Sequence, residues 1–254
     1  DVPAVEVPDA ATDAPRPAGP GATPGGTPGG TSSATPSATP SAQPGSFTSG
    51  VHRHGALQRG YKLYLPPVAV GAASAAGAAM PLVVMLHGCT QDPDDFAAGT
   101  RMNALAAAQG LAVLYPAQAQ DANPGRCWNW FKHNHQGADR GEAALIASLA
   151  RSVVQSHGLD ARRVFIAGLS AGGAMAALVA AAHPQQFAAL GVHSGLAPGA
   201  AQDLQAGLAA MRSGAGVALP LPVPTIVFHG DQDSTVHPRN ADQLLAAAVQ
   251  GAGA

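Results

Sequence analysis

The chain runs to 254 residues, enough for one α/β domain with a sizeable core or for two smaller domains. Only 11% of its residues are charged and the formal net charge is −2, which excludes a basic field able to hold nucleic acid or an anionic membrane. Ala supplies much of the 46% apolar content, so the core must rest on Val, Ile and Leu runs, because Ala-rich helices form readily but bury little area each.

Residues 1–45 are built from Pro, Gly, Ala, Ser and Thr, without an aromatic ring or an apolar period. Burial there cannot offset ordering entropy, so a disordered leader or linker is expected, with the folded domain over 46–254. No charged and then apolar leader follows Asp1, which leaves a removed or excluded signal peptide open. FTSGVHRH (47–54) and GYKLYLPP (60–67) read as a hairpin, and AVGAASAAGAA (69–79) as a surface loop. The uncharged window ending in PLVVML is interrupted by Gly, Ser and Pro81. It reads as that loop followed by a strand buried on both faces, not a membrane span.

A helix is expected from about Asp94 to Gln109, stopped by Gly110, then a strand LAVLYP (111–116). A long polar and aromatic connection covers 117–138, followed by a helix over 141–158. RVFIAG (163–168), AALGVHSG (188–195) and PTIVFHG (224–230) then alternate as strands with the helical stretches AGGAMAALVAAAH, AQDLQAGLAAMR and RNADQLLAAAVQ. Such alternation predicts right-handed βαβ crossovers and an α/β fold with a mostly parallel, doubly wound sheet.

Chemistry in such a sheet gathers beyond the carboxyl ends of the strands. FIAGLSAGGAMAA (165–177) carries G-x-S-x-G between a strand and a helix, the setting in which a strained turn exposes a serine nucleophile, here Ser170. Gly168 and Gly172 flank it because side chains there would collide across the turn; a serine that merely caps the helix is the plainer alternative. An attacked carbonyl needs two preorganised donors for its oxyanion. The Ala171 amide is one, and the turn HGCTQ (87–91) offers the Cys89 amide, with the Thr90 amide as the alternative. His87 reads as a brace for that turn. In HGDQDSTVHP (229–238), Asp233 is the preferred acid for orienting a histidine, with Asp231 as competitor.

Cys89 and Cys127 fall in separate loops over one end of the sheet, where a disulfide would tie the aromatic loop RCWNWF to the oxyanion turn and imply an oxidising compartment; two reduced thiols are the alternative. Trp128, Trp130 and Phe131 would form an apolar wall for an acyl or alkyl group, or else plug the core. His193 ends a strand beside the nucleophile and is a further candidate for substrate contact. HxH at 133–135 lacks a third ligand nearby, and no HExxH or CxxC occurs, so neither metal nor other cofactor is expected.

PLVVMLHGCTQDPDDFAAGTRMNALAAAQGLAVLYPAQAQ, RCWNWF, GLSAGGAMAA, GVHSGL and FHGDQDSTVHPRNADQ together resemble the esterases of the polyhydroxybutyrate depolymerase family. The likeness covers essentially everything from Ser46 to Gln250. It implies an α/β-hydrolase fold, a Ser–Asp–His triad and hydrolysis of short hydroxyalkanoate esters, with related members acting on acetyl or feruloyl esters of plant polysaccharide. Ser170 then stands as nucleophile, Asp233 as acid, and Cys89 with Ala171 as oxyanion donors. The family's common secretion agrees with the disulfide; the expected partner is an ester substrate, polymer or oligomer, and no nucleic acid or membrane.

The triad order is Ser, acid, His. After Asp233 the only histidine is His237, too close in the same loop, while His193 and His229 precede the acid. His52, His54, His157 and His183 read as surface residues. The sequence therefore reads as lacking its last strand and catalytic-histidine loop, with weak or no turnover expected of this stretch alone.

Overall fold

The computed structural model describes residues 45–67, 79–215 and 218–253. The expected leader and the second low-complexity stretch lie outside the described residues except for Gly45 and Ala79. Strand β1 (Ser46–His54) turns at Gly55–Ala56 into β2 (Leu57–Leu65), and their antiparallel register pairs His54 with Leu57, so the hairpin forms as expected. β3 is Leu82–Leu86, β4 Ala112–Pro116, β5 Val164–Leu169, β6 Ala189–His193 and β7 Thr225–Phe228. The sheet order is β1-β2-β4-β3-β5-β6-β7, antiparallel across the first three strands and parallel from β4 onward.

The helix expected from Asp94 to Gln109 is two helices, α1 (Pro93–Thr100) and α2 (Met102–Gln109), broken where Arg101 adopts φ 52°. Thr100 Oγ1 donates to the Phe96 carbonyl at 2.7 Å, and with Gly99 beside it the helical ladder gives way. Asp92 caps α1 by accepting from the Asp94 and Asp95 amides, each at 3.0 Å, ahead of Pro93 in the first turn. Three helices follow the parallel strands, α3 (Gly141–His157), α4 (Ala171–Ala182) and α5 (Leu204–Ser213); α6 (Arg239–Ala252) closes the described chain.

Helices α3 and α4 cover one face of the sheet. Residues 171–180 of α4 are all buried, and Ala or Gly at seven of them lets backbone and neighbours approach closely. Leu82, Val84, Leu86, Val164 and Ile166 meet Leu145, Ile146, Leu149 and Met175 there, with α6 contributing Leu244 and Ala247. The opposite face is covered by α1 and α2 over β2 and β4, where Phe96, Ala106, Val113 and Tyr115 form a second, smaller core. Farther along that face, Ile226 and Phe228 of β7 are exposed. No helix among the described residues is long and apolar enough to cross a membrane.

Candidate active site

β5 delivers Ser170 at its carboxyl end in a turn with φ 55° and ψ −120°, a region that side chains rarely occupy and that marks stored strain. The turn is held by the Ser170 amide, which donates to the His193 carbonyl at 2.9 Å. A Cβ on Gly168 would strike the Gly172 carbonyl, and one on Gly172 would strike the carbonyls of Leu86 and His87. Only glycine at both positions lets strand, turn and helix pass this closely. Ser170 Oγ has no hydrogen-bond partner among the described residues, and it is half-buried at the mouth of a cavity.

The turn after β3 lies beside it: a Cβ built on Gly88 would sit 3.7 Å from Ser170 Cβ. Here the structure separates the two candidate amides. The Thr90 amide donates to the Gly125 carbonyl at 2.7 Å, and the Gly88 amide to Gln91 Oε1 at 2.9 Å. The Cys89 amide has no acceptor among the described residues, nor does that of Ala171, the first residue of α4. His87 is buried and braces the turn as expected, bonded through Nδ1 to the Gly88 carbonyl at 2.7 Å and through Nε2 to the Gln118 amide at 3.1 Å.

Cys89 and Cys127 are joined in a disulfide across 38 residues, a closure worth about 3–4 kcal/mol in the chain-entropy account. It fastens the aromatic loop to the turn after β3, as the sequence suggested. Trp130 and Phe131 pack edge to face, with ring centroids 5.6 Å apart, and line a cavity of about 190 Å³ with Cys89, Cys127, Ser170 and Ala171. Leu196, Val236 and the α5 residues Leu204, Leu208 and Met211 complete the apolar wall. The α5 contribution was not foreseen, although the spacing of 204, 208 and 211 marks one helical face.

Two residues expected at the substrate lie elsewhere. Trp128 is fully buried beneath the loop, its ring 5.6 Å from that of His87, so it plugs the core instead of lining the cavity. His193 ends β6 in register with Leu169 and Phe228 and is exposed on the opposite sheet face, stacked on Phe228 at 6.4 Å. Its side chain belongs to a groove there; only its backbone carbonyl reaches the serine turn.

Asp233 Oδ1 accepts from the Thr235 and Val236 amides, each at 2.9 Å, while Oδ2 lies 3.6 Å from His229 Nε2. Burial alone would raise its pKa, but these amides, the Ser194 hydroxyl and nearby His229 outweigh it and hold the carboxyl below its ordinary value. Asp231 is exposed. His229 donates through Nε2 to the Val236 carbonyl at 2.7 Å, so none of the histidines bridges Ser170 and Asp233 among the described residues. His133 and His135 form a single 3-10 turn, and no group of three metal-ligating side chains occurs among the described residues.

Sequence reasoning missed a buried polar cluster under the aromatic loop. Glu142, wholly buried in the first turn of α3, accepts from Arg59 Nη2 at 2.8 Å, Gln118 Nε2 at 2.7 Å, Asn129 Nδ2 at 2.9 Å and the Asn129 amide at 2.7 Å. Gln118 also donates to the Cys127 carbonyl at 2.9 Å and accepts from Arg59 Nε at 2.8 Å.

With this geometry in view, comparison with known proteins is specific. The family model described as esterase PHB depolymerase matches residues 59–253. The chain is 32% identical over 181 residues to poly(3-hydroxyalkanoate) depolymerase C of Paucimonas lemoignei, covering 65% of this chain and 43% of that protein. It is 31% identical over 122 residues to feruloyl esterase B of Thermothelomyces thermophilus, covering 48% of this chain and 41% of that protein. The chain thus spans less than half the length of either relative. The fold is shared with an acetyl xylan esterase from Aspergillus awamori at a TM-score of 0.65 and 22% identity, over 77% of this chain and 75% of that one. The fold is that of an α/β-hydrolase, and the chain belongs to the esterase family of the PHB depolymerases.

Proposed function

We propose that the protein is a serine esterase that hydrolyses carboxylic esters with a short apolar acyl part, polyhydroxybutyrate or short hydroxyalkanoate oligomers foremost. The observation that carries this reading is Ser170: a strained hydroxyl without a partner among the described residues, beside two amides likewise unpaired there, lining an apolar cavity of about 190 Å³. Ser170 Oγ attacks the ester carbonyl carbon and the new oxyanion is held by the Cys89 and Ala171 amides. Collapse of the tetrahedral adduct expels the alcohol and leaves an acyl-serine, which water then cleaves. The proton from Ser170 passes to an imidazole oriented by Asp233 and returns with the leaving alcohol. The disulfide favours an oxidising, extracellular setting.

A carbohydrate-ester substrate is the second reading, favoured by the likeness to feruloyl esterase B and by the aromatic wall of Trp130 and Phe131. In the natural polypeptide, a fluorophosphonate is expected to label Ser170 and to fail with Ser170→Ala. Ser170-dependent hydrolysis of hydroxybutyrate oligomers above methyl ferulate supports the polyester reading, and the reverse order supports the carbohydrate one. Absence of both labelling and hydrolysis leaves a non-catalytic binding module and sinks the esterase reading.

A further inference from the structure

The proposed esterase needs the Cys89 amide aimed at Ser170, yet a turn containing Gly88 has ample freedom to rotate that peptide away. In a trans peptide the carbonyl of one residue and the amide of the next point in opposite directions. Whatever holds the Gly88 carbonyl therefore aims the Cys89 N–H. That carbonyl is 2.7 Å from His87 Nδ1, whose ring is buried.

The ring's protonation follows from its neighbours. The Gln118 amide can only donate, so Nε2, at 3.1 Å, must present a lone pair; the Gly88 carbonyl can only accept, so Nδ1 must carry the proton. Both contacts are satisfied by one form alone, the neutral imidazole protonated on Nδ1. Gln118 is itself fixed by Glu142, Arg59 and the Cys127 carbonyl, and the Trp128 ring packs against the imidazole. The neighbouring amides of the turn are occupied by Gln91 and Gly125, which leaves Cys89's as the one without an acceptor among the described residues, in a residue that lines the same cavity as Ser170.

We propose that His87 is a positioning residue of the oxyanion hole, donating from Nδ1 to the Gly88 carbonyl and so turning the Cys89 amide toward the substrate oxygen. It rests on the esterase reading and adds to it a residue that never touches the substrate. Burial also lowers the His87 pKa, in keeping with a neutral ring.

The test exploits two amide side chains that each replace half of imidazole. Asn reproduces a donor near the Nδ1 position, whereas Gln reproduces a group near Nε2 and gives up the bond to Gly88. In the natural full-length polypeptide with p-nitrophenyl butyrate, His87→Gln is expected to lower kcat about 10- to 100-fold with KM within about twofold, because the donor acts in the transition state. His87→Asn is expected to stay within about fivefold of wild type, and nitrogen-15 NMR of the wild-type ring to show the proton on Nδ1.

Equal loss in both variants, no loss in either, a change confined to KM, or a proton found on Nε2 would each overturn the proposal. If His87→Gln does not fold, the NMR result alone decides it. Wild-type protein without Ser170-dependent hydrolysis defeats the esterase reading and this proposal together; hydrolysis with the wrong Asn and Gln pattern defeats the proposal alone.

Discussion

Asp233 shows how the residue scale separates two acids that the sequence presents two positions apart. Both follow β7 in one loop, but Asp233 is drawn in by two amides and the Ser194 hydroxyl, while Asp231 faces solvent. A carboxylate held in place can orient an imidazole; one free to rotate cannot. Asp233→Asn is expected to lower kcat by about 10³- to 10⁴-fold, by analogy with loss of the orienting acid in serine hydrolases, and Asp231→Asn to leave kcat nearly unchanged. The same carboxyl carries a stability signature. Its folded pKa lies below its unfolded value of about 3.9, so its contribution is complete above that value and is lost as pH falls through the folded one. Acid unfolding curves of wild type and Asp233→Asn should therefore begin to approach each other as pH falls below about 4 and meet only below the folded pKa.

At the scale of elements, the aromatic loop between β4 and α3 is the part of the site with the least regular structure and the most tethers. The disulfide fastens it to the turn after β3, and Glu142 gathers it through the Asn129 amide and side chain. Arg59 and Glu142 are 4% and 0% exposed, so each charge depends on the other for its solvation. Glu142→Gln would leave the guanidinium buried without its anion, at a cost of about 3–5 kcal/mol. A drop in Tm on the order of 10 °C is expected for a domain of this size, measured by thermal unfolding. An unchanged Tm would show that the Arg59–Glu142 pair does not hold this loop in place. Glu142 escaped notice in the sequence because an acid in the first turn of a helix is ordinarily a solvated companion of the helix dipole.

The cavity belongs to the whole molecule, since its walls come from the β3 turn, the aromatic loop, the serine elbow, α5 and the loop after β7. Met211 reaches it from the last turn of α5 and shares its lining with Trp130 and Phe131. Removing that side chain should lengthen the cavity in which the proposed esterase would seat an acyl chain. Met211→Ala is therefore expected to raise kcat/KM for p-nitrophenyl octanoate relative to butyrate by about tenfold, the scale of one or two methylenes in an apolar pocket. An unchanged ratio would show that the acyl chain lies elsewhere.

Much of this protein could be read from neighbours along the chain. The alternation of strands and helices, the hairpin, and the glycine-flanked serine all express interactions within a few residues, where backbone sterics and apolar period decide the outcome. Tertiary structure alone decided which of the two amides of the β3 turn stays without an acceptor among the described residues, because Thr90 loses its N–H to Gly125, 35 positions away. It turned Trp128 into the core and His193 onto the far face of the sheet, since the direction of a side chain depends on what the strand or loop is packed against. It also joined Arg59 to Glu142 across 83 residues. Spacing along a sequence carries no record of such pairings, for they exist only once distant segments have excluded water from between them.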